Sequence, residues 1–113
     1  MGARLRTKLW VQAQIRLCDV SGIAIAIPRK GDPDAGSIIL KLDRLNGEID
    51  LYSQTRTRDG EPAWMRAGGK GRISEVEAGG YIRRQIDFDP DLWVVEIEDP
   101  DGRYSLIEPV LDE

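Results

Sequence analysis

The sequence predicts an α+β fold, a mostly antiparallel sheet of about five strands with two helices packed on it, in the order α-β-β-β-β-α-β. Three observations predict it. Ser74-Glu75-Val76-Glu77 has the form of a capping box, in which a hydroxyl and a carboxylate three residues apart satisfy each other's backbone amides and open a helix. Asn46-Gly47 separates two runs of strand-forming residues and suits a two-residue turn needing positive φ at both centres. Leu92-Trp93-Val94-Val95-Glu96-Ile97-Glu98 is rich in β-branched and aromatic residues and too short for a buried helix.

Leu9 to Val20 carries two patterns. Val11 to Leu17 alternates as a strand would, whereas Trp10, Ala13, Leu17 and Val20 share one side of a helix with Cys18 beside them. Ser21-Gly22 decides for the helix, with Gly22 in the left-handed position that ends it. Ile23-Ala24-Ile25-Ala26-Ile27 is apolar on both faces and predicts a central strand. A loop over Lys30 to Gly36 leads to a strand over Ser37 to Arg44, and the Asn46-Gly47 turn to its partner, Glu48 to Thr55. Closure at Leu45 and Glu48 pairs Leu42 with Leu51 and Lys41 with Tyr52, and leaves Asp43 facing Asp50.

Arg58-Asp59-Gly60 turns into a short strand around Pro62 to Ala67. The capped helix runs from Ser74 to about Asp87 and buries Ala78, Tyr81, Ile82 and Ile86, with Ile73 as its staple against Ala78. Gly79-Gly80 inside it costs about 1 kcal/mol per glycine relative to alanine, which calls for a close neighbour or a frayed first turn. Asp89-Pro90-Asp91 ends the helix, the strand at 92–98 follows, and Asp99-Pro100-Asp101-Gly102 turns into a short piece from Arg103 to Ile107.

At 113 residues the chain fits one domain, 1–113, with flexible ends at 1–7 and 109–113. Gly22 to Pro28 is its longest apolar stretch, far short of a membrane span, and a cytoplasmic protein is the default. With one cysteine, Cys18, there is no internal disulfide and no cysteine-based zinc site. With no histidine there is no Ser-His-Asp or Cys-His nucleophile and no imidazole metal ligand. Residues 1–84 hold 15 basic and 10 acidic side chains, net +5, and residues 85–113 hold 1 and 10, net −9. Such a split reads either as two halves attracting each other across the fold or as an acidic face for a partner. A pI near 4.9 disfavours nucleic acid as that partner.

Three Asp-Pro-Asp copies punctuate the chain, at 32–34, 89–91 and 99–101. Asp87, Asp89 and Asp91, spaced by two, are the candidate ligands for Mg²⁺ or Ca²⁺, although the calcium-loop glycine and terminal glutamate are missing. Arg29, Lys30, Asp32 and Asp34 make a candidate binding loop, longer than a hairpin requires and bounded by Gly31 and Gly36. The basic, glycine-rich stretch before the second helix, with Arg66, Gly69, Lys70 and Gly71, resembles the pyrophosphate loop of acetyl-coenzyme A dependent N-acetyltransferases. The helix cap lies later than in that family, and Glu75 and Glu77 stand near where phosphates would go. Trp10, Trp64 and Trp93 belong to different elements and read as packing residues.

Leu9-Trp10-Val11-Gln12-Ala13, Arg29-Lys30-Gly31-Asp32 with Ala35-Gly36, Lys41 to Gly47, Trp64-Met65-Arg66-Ala67 and Phe88 to Asp99 together resemble a family of short alphaproteobacterial proteins catalogued as domain of unknown function fourteen ninety-one. The resemblance covers nearly the whole chain and implies a small single-domain bacterial protein with no assigned activity, catalytic residue or cofactor. The side chains on hand favour a non-enzymatic protein-interaction or regulatory domain that offers its acidic C-terminal region or a sheet edge to a protein partner or, as a homodimer, to itself. The alternatives are an acyl-coenzyme A binding protein or small transferase using 66–71, and a divalent-metal domain. No nucleic acid, membrane or cofactor is called for.

Overall fold

The first segment is a helix. In the computed structural model, which describes residues 6–69 and 71–111, α1 spans Thr7–Ser21, and Gly22 closes it at φ 70° while the Ile23 amide donates to the Cys18 carbonyl at 2.8 Å. Arg6 provides no side-chain cap. Instead the carbonyls of Pro33 and Asp34 accept from the Lys8 and Thr7 amides, at 2.9 and 3.3 Å. The buried face is Thr7, Trp10, Val11, Gln14 and Cys18, rotated from the expected one. Leu9, Leu17 and Val20 remain exposed, because the helix is apolar over more of its circumference than its contact covers.

Five further strands and a second helix follow α1 and its neighbour β1 (Ala24–Arg29): β2 (Ile38–Asp43), β3 (Ile49–Arg56), β4 (Pro62–Arg66), α2 (Glu75–Phe88), β5 (Trp93–Glu98) and β6 (Val110–Leu111). They form one sheet of six strands in the order β1-β5-β2-β3-β4-β6. It is mixed. β1–β5, β2–β3 and β3–β4 are antiparallel, while β2–β5 and β4–β6 are parallel. The expected fold class stands in this coarser form, with a sixth strand added at the C-terminus.

β1 is an edge strand, not the central one expected. Ile25 and Ile27 turn toward the α1 side, but Ala24 and Ala26 are exposed, since alanine counts as apolar in a pattern without requiring burial. The middle of the sheet is β2 and β3, and β2 with its parallel neighbour β5 holds the fully buried Leu40, Val95 and Ile97. The two helices lie on opposite faces. Trp10, Val11 and Cys18 pack on Ile38, Leu40, Leu42, Tyr52 and Val95, whereas Ala78, with half-buried Tyr81, Ile82 and Ile86, packs on Ile39, Ile49 and Leu51. Each face of the sheet thus carries one helix.

The β2–β3 register is also shifted by one from the expected pairing. Leu42 stands opposite Asp50 and Lys41 opposite Leu51. Asn46-Gly47 does not form a two-residue turn: the Arg44 amide donates to the Glu48 carbonyl at 3.1 Å across Leu45, Asn46 and Gly47, with Leu45 at φ 60° and Gly47 at φ 88°. A slip of one residue exchanges the faces of every side chain on β3.

α2 begins with the full capping box, Ser74 Oγ accepting from the Glu77 amide at 3.1 Å and Glu77 Oε1 from the Ser74 amide at 3.0 Å. Gly79 and Gly80 have no packing partner that requires them: an added Cβ at either meets only an arginine of the same helix, at 3.4 Å.

The chain finally straps the α1 side. After Asp99 it crosses from β5 toward the far edge. The Tyr104 hydroxyl donates to Gln14 at 2.7 Å, Glu108 meets both Trp10 and Trp64, and the Trp64 amide donates to the Pro109 carbonyl at 2.8 Å. The ends expected to be flexible fall partly outside the described residues. Within them, the Thr7 hydroxyl donates to the Gly36 carbonyl at 2.7 Å, and Val110–Leu111 pairs with Trp64–Met65.

Two glycine substitutions have opposite expected signs. Gly31→Ala drives a Cβ into the backbone of Asp91 and Leu92, so it lowers unfolding free energy by about 3 kcal/mol. Gly79→Ala raises it by about 0.5–1 kcal/mol, because the helix is intact and the unfolded chain loses freedom. Urea denaturation of both variants checks the pair.

Candidate functional site

Along β3, residue parity sets the direction of the backbone groups. The Leu51 carbonyl accepts from Ala67 and the Thr57 amide donates to Glu61, both on the β4 side. Alternation then turns Gln54 and Arg56 toward β2. Register pairing between β2 and β3 nevertheless stops at Ile39–Ser53, while β3 runs on to Arg56 beside Pro62 of β4. The Ile38 amide donates to the Gln54 side chain, Oε1, at 2.8 Å instead of continuing the ladder. β2 begins at Ile38 because the chain before it veers away, with the Thr7 hydroxyl and Trp93 indole holding Gly36 and Asp32.

The sheet therefore splays, and a groove of about 450 Å³ opens between the 34–38 segment and the β3–β4 end. This is within the range of ligand-holding clefts. Trp10, Trp64 and Glu108 form its floor. The indoles lie 5.6 Å apart at 51°, and each donates to a different oxygen of Glu108, Trp10 to Oε2 at 3.1 Å and Trp64 to Oε1 at 2.9 Å. The rim holds Asp34 and Arg56; the Arg56 guanidinium donates to the Gly60 carbonyl.

None of these floor residues was singled out for binding from the sequence. A signal exists in Tyr104, Leu106 and Glu108, which alternate with exposed Ser105 and Ile107 and so place the Glu108 carboxylate on the buried side of the strap.

The candidate metal ligands go separate ways. Asp87 is exposed on the last turn of α2, Asp89 Oδ1 accepts from the Asp91 amide at 3.0 Å, and Asp91 offers its carbonyl to the Asp32 amide at 3.0 Å. Among the described residues no three acidic or thiol groups converge as a metal site. In the candidate loop, Asp32 Oδ2 accepts from the amides of Asp34 and Ala35, and Arg29 donates to the Pro90 carbonyl at 2.9 Å. Two Asp-Pro-Asp segments thus pack against each other. Lys30 is exposed.

In the glycine-rich stretch, Gly69 and Gly71 are exposed at positive φ, and Lys70 lies outside the described residues. Arg66 is already engaged. It stacks over Tyr52 at 5.2 Å and donates to Asp50 Oδ1 at 2.6 Å.

Asp50 gathers the densest charge in the molecule. At 2% exposed, it receives Arg44 at 2.8 Å, Arg66 at 2.6 Å and Arg72 at 3.1 Å. Arg44 continues to Asp99, whose carboxylate also accepts the amides of Arg103 and Tyr104. On the other face Lys41 joins Glu75 and Glu96. Two of these pairs, Lys41–Glu96 and Arg44–Asp99, join the basic part of the sequence to its acidic C-terminal part.

Burial pushes the Asp50 carboxyl up, but hydrogen bonds from Arg66 and Arg44 outweigh it and hold the group below its usual range. Burial raises the Cys18 thiol, aided by the charge of Asp99, and raises the Tyr104 phenol, so neither is poised as a nucleophile.

A family model described as "Protein of unknown function (DUF1491)" matches residues 5–107. Among solved structures, the crystal structure of a DUF1491 family protein from Caulobacter crescentus CB15 is similar at 41% identity and a TM-score of 0.85, covering 96% of this chain and 100% of that one. An NMR structure of a DUF1491 family protein from the same organism is similar at 41% identity and 0.82, covering 98% and 100%. Protein Atu0922 from A. tumefaciens is similar at 28% identity and 0.73, covering 94% and 97%. No curated protein matches the chain.

Asp50→Asn leaves three arginines around a neutral amide and lowers stability by about 3 kcal/mol, the order expected for breaking a buried ion pair. Because the folded pKa of Asp50 is depressed, its contribution is complete above the unfolded value of about 3.9 and fades as pH falls through the lower folded value. Denaturation curves from pH 7 to pH 2.5 should therefore fall less steeply below pH 4 in Asp50→Asn than in the wild type.

Proposed function

Since the chain belongs to the DUF1491 family of proteins of unknown function, we propose a non-enzymatic role for it, that of an interaction domain which holds an extended segment of a partner protein in the groove beside β3. One observation carries this reading: β3 continues three residues past its last register partner on β2, so that the Gln54 carbonyl, whose ladder donor Ile38 turns to the Gln54 side chain instead, and the backbone groups of Arg56 are directed to the cleft side without a β2 partner. An extended chain satisfies such groups by adding as a strand, with side-chain contacts supplying the selectivity.

The rest of the molecule supports the same reading. Both outer edges are poor docking strands: β1 contains Pro28 and an irregular register between Ala26 and Arg29, and β6 is only two residues long. Asp99 and Glu108 of the acidic region are engaged inside the fold, which moves the interaction surface from the acidic tail and outer edges to the groove. Cys18, Tyr104 and the Asp50 cluster are held as structural groups, which leaves little for catalysis. No helix among the described residues is long and apolar enough to cross a membrane. A buried, unpaired cysteine fits a single domain working in the reducing cytoplasm.

Panning a phage-displayed library of random heptapeptides on the intact protein tests the proposal. Enriched peptides should shift the amide resonances of Gln54 and Arg56, and Arg56→Pro, which removes one donor facing the groove, should weaken them by about tenfold. A library that yields no binder, or binders that shift only residues elsewhere, sinks the reading.

A further inference from the structure

Glu108 differs from the other deeply placed carboxylates. Asp50 and Asp99 meet arginine, and Glu96 meets Lys41. Glu108 meets two neutral indole donors, and among the described residues no lysine or arginine nitrogen lies within 4.0 Å of it. An ionised carboxylate retains acceptor capacity on each oxygen after one bond, and a partly buried anion without a counter-charge bears an uncompensated desolvation cost. Here that anion lines the groove floor.

Of the two carboxylates that line the cleft, Glu108 is the part-buried one and Asp34 is exposed on the rim. Asp34 on the rim has Arg6 at 3.7 Å, and Arg56 is a cation itself. Charge complementarity therefore specifies what should enter at the floor. Resting on the reading of the groove as a strand-accepting cleft, we propose that it selects a segment carrying a lysine or arginine, whose cation seats against the Glu108 carboxylate between the two indole donors. A strand sends alternate side chains to one face, so a single basic residue flanked by outward-facing neighbours fits. Trp10 and Trp64 hold the carboxylate in place and would report its occupancy by fluorescence.

Four synthetic libraries test this on the full chain. Each is an acetylated, amidated pentapeptide with lysine, arginine, norleucine or glutamate fixed at the centre and the other positions randomised. The lysine and arginine pools should bind at least about tenfold tighter than the norleucine pool, the scale of one charge-assisted hydrogen bond, and the glutamate pool weakest. Glu108→Gln, which keeps an acceptor for an indole, should erase the difference. The comparison among pools on the wild type stands even if that variant fails to fold.

Equal affinity for lysine and norleucine pools, with shifts at Gln54 and Arg56, overturns the charge selection and leaves the strand-accepting cleft intact. No binding by any pool overturns both. Spermidine serves as a further arm: spermidine binding lost in Glu108→Gln, with no pool bound, would assign the carboxylate to a free polyamine and also overturn the proposal.

Discussion

The register of β3 on β2 governs both the charge core and the groove. Leu42 stands opposite Asp50 because the chain rounds Leu45, Asn46 and Gly47 in a three-residue loop, with Leu45 in the left-handed region. That conformation costs roughly 1–2 kcal/mol for a residue with a Cβ. The loop is braced locally, Asp43 accepting from the Leu45 amide at 2.8 Å and Asn46 from the Glu48 amide at 3.1 Å. In return Asp50 lies on the α1 side beside Arg44, with Arg66 reaching it from β4 and Arg72 from the loop before α2. One carboxylate thus ties three parts of the chain together. The same register brings the ladder to an end at Ile39–Ser53, leaving the end of β3 to wall the cleft.

Asp-Pro-Asp looks like a chemical repeat and works as punctuation. In the first copy Asp32 binds the amides of its own turn, and the carbonyls of Pro33 and Asp34 receive the first amides of α1. In the second, Asp89 organises the exit from α2, and the Asp91 backbone fits against Gly31 and Gly36, where a Cβ has no room. In the third, Asp99 is buried under Arg44 and accepts two amides of the turn. Proline stiffens each copy while the leading aspartate satisfies backbone donors. The leading aspartate of each copy is directed at its own chain, and among the described residues no three acidic groups converge where a metal ion could be held.

What the sequence disclosed follows the range of the interactions involved. The Ser74 capping box, the Gly22 stop and the strand after Asp91 are local patterns, and each element formed where its pattern lay. The family resemblance was legible for a different reason, since motifs along nearly the whole chain agreed with it. Interactions between distant residues were not legible. The edge position of β1, the parallel pairing of β2 with β5 and the meeting of Glu108 with Trp10 and Trp64 join segments up to 98 residues apart. The hairpin shows the boundary between the two cases. Asn46-Gly47 marked the turn but not the loop length that sets register, and the register adopted brings Asp50 to arginines that lie outside the hairpin.

The strap from Asp99 to Leu111 links these features. It starts at the Asp50–Arg44–Asp99 network and ends as β6 on the far edge, laying Glu108 under the groove on its way. Had it only to cover the α1-side core, Tyr104 and Leu106 would suffice, and an apolar residue at 108 would pack against two indoles without the desolvation cost of a carboxylate. A glutamate there instead gives both indole N–H groups an acceptor and fixes their orientation, while leaving its charge facing the cleft. Two indole donors on two different oxygens call for a group that accepts at both, which an ionised carboxylate does and an amide does not. The ionisation that satisfies Trp10 and Trp64 thus also sets, on the lining of the groove, a charge with no lysine or arginine partner among the described residues.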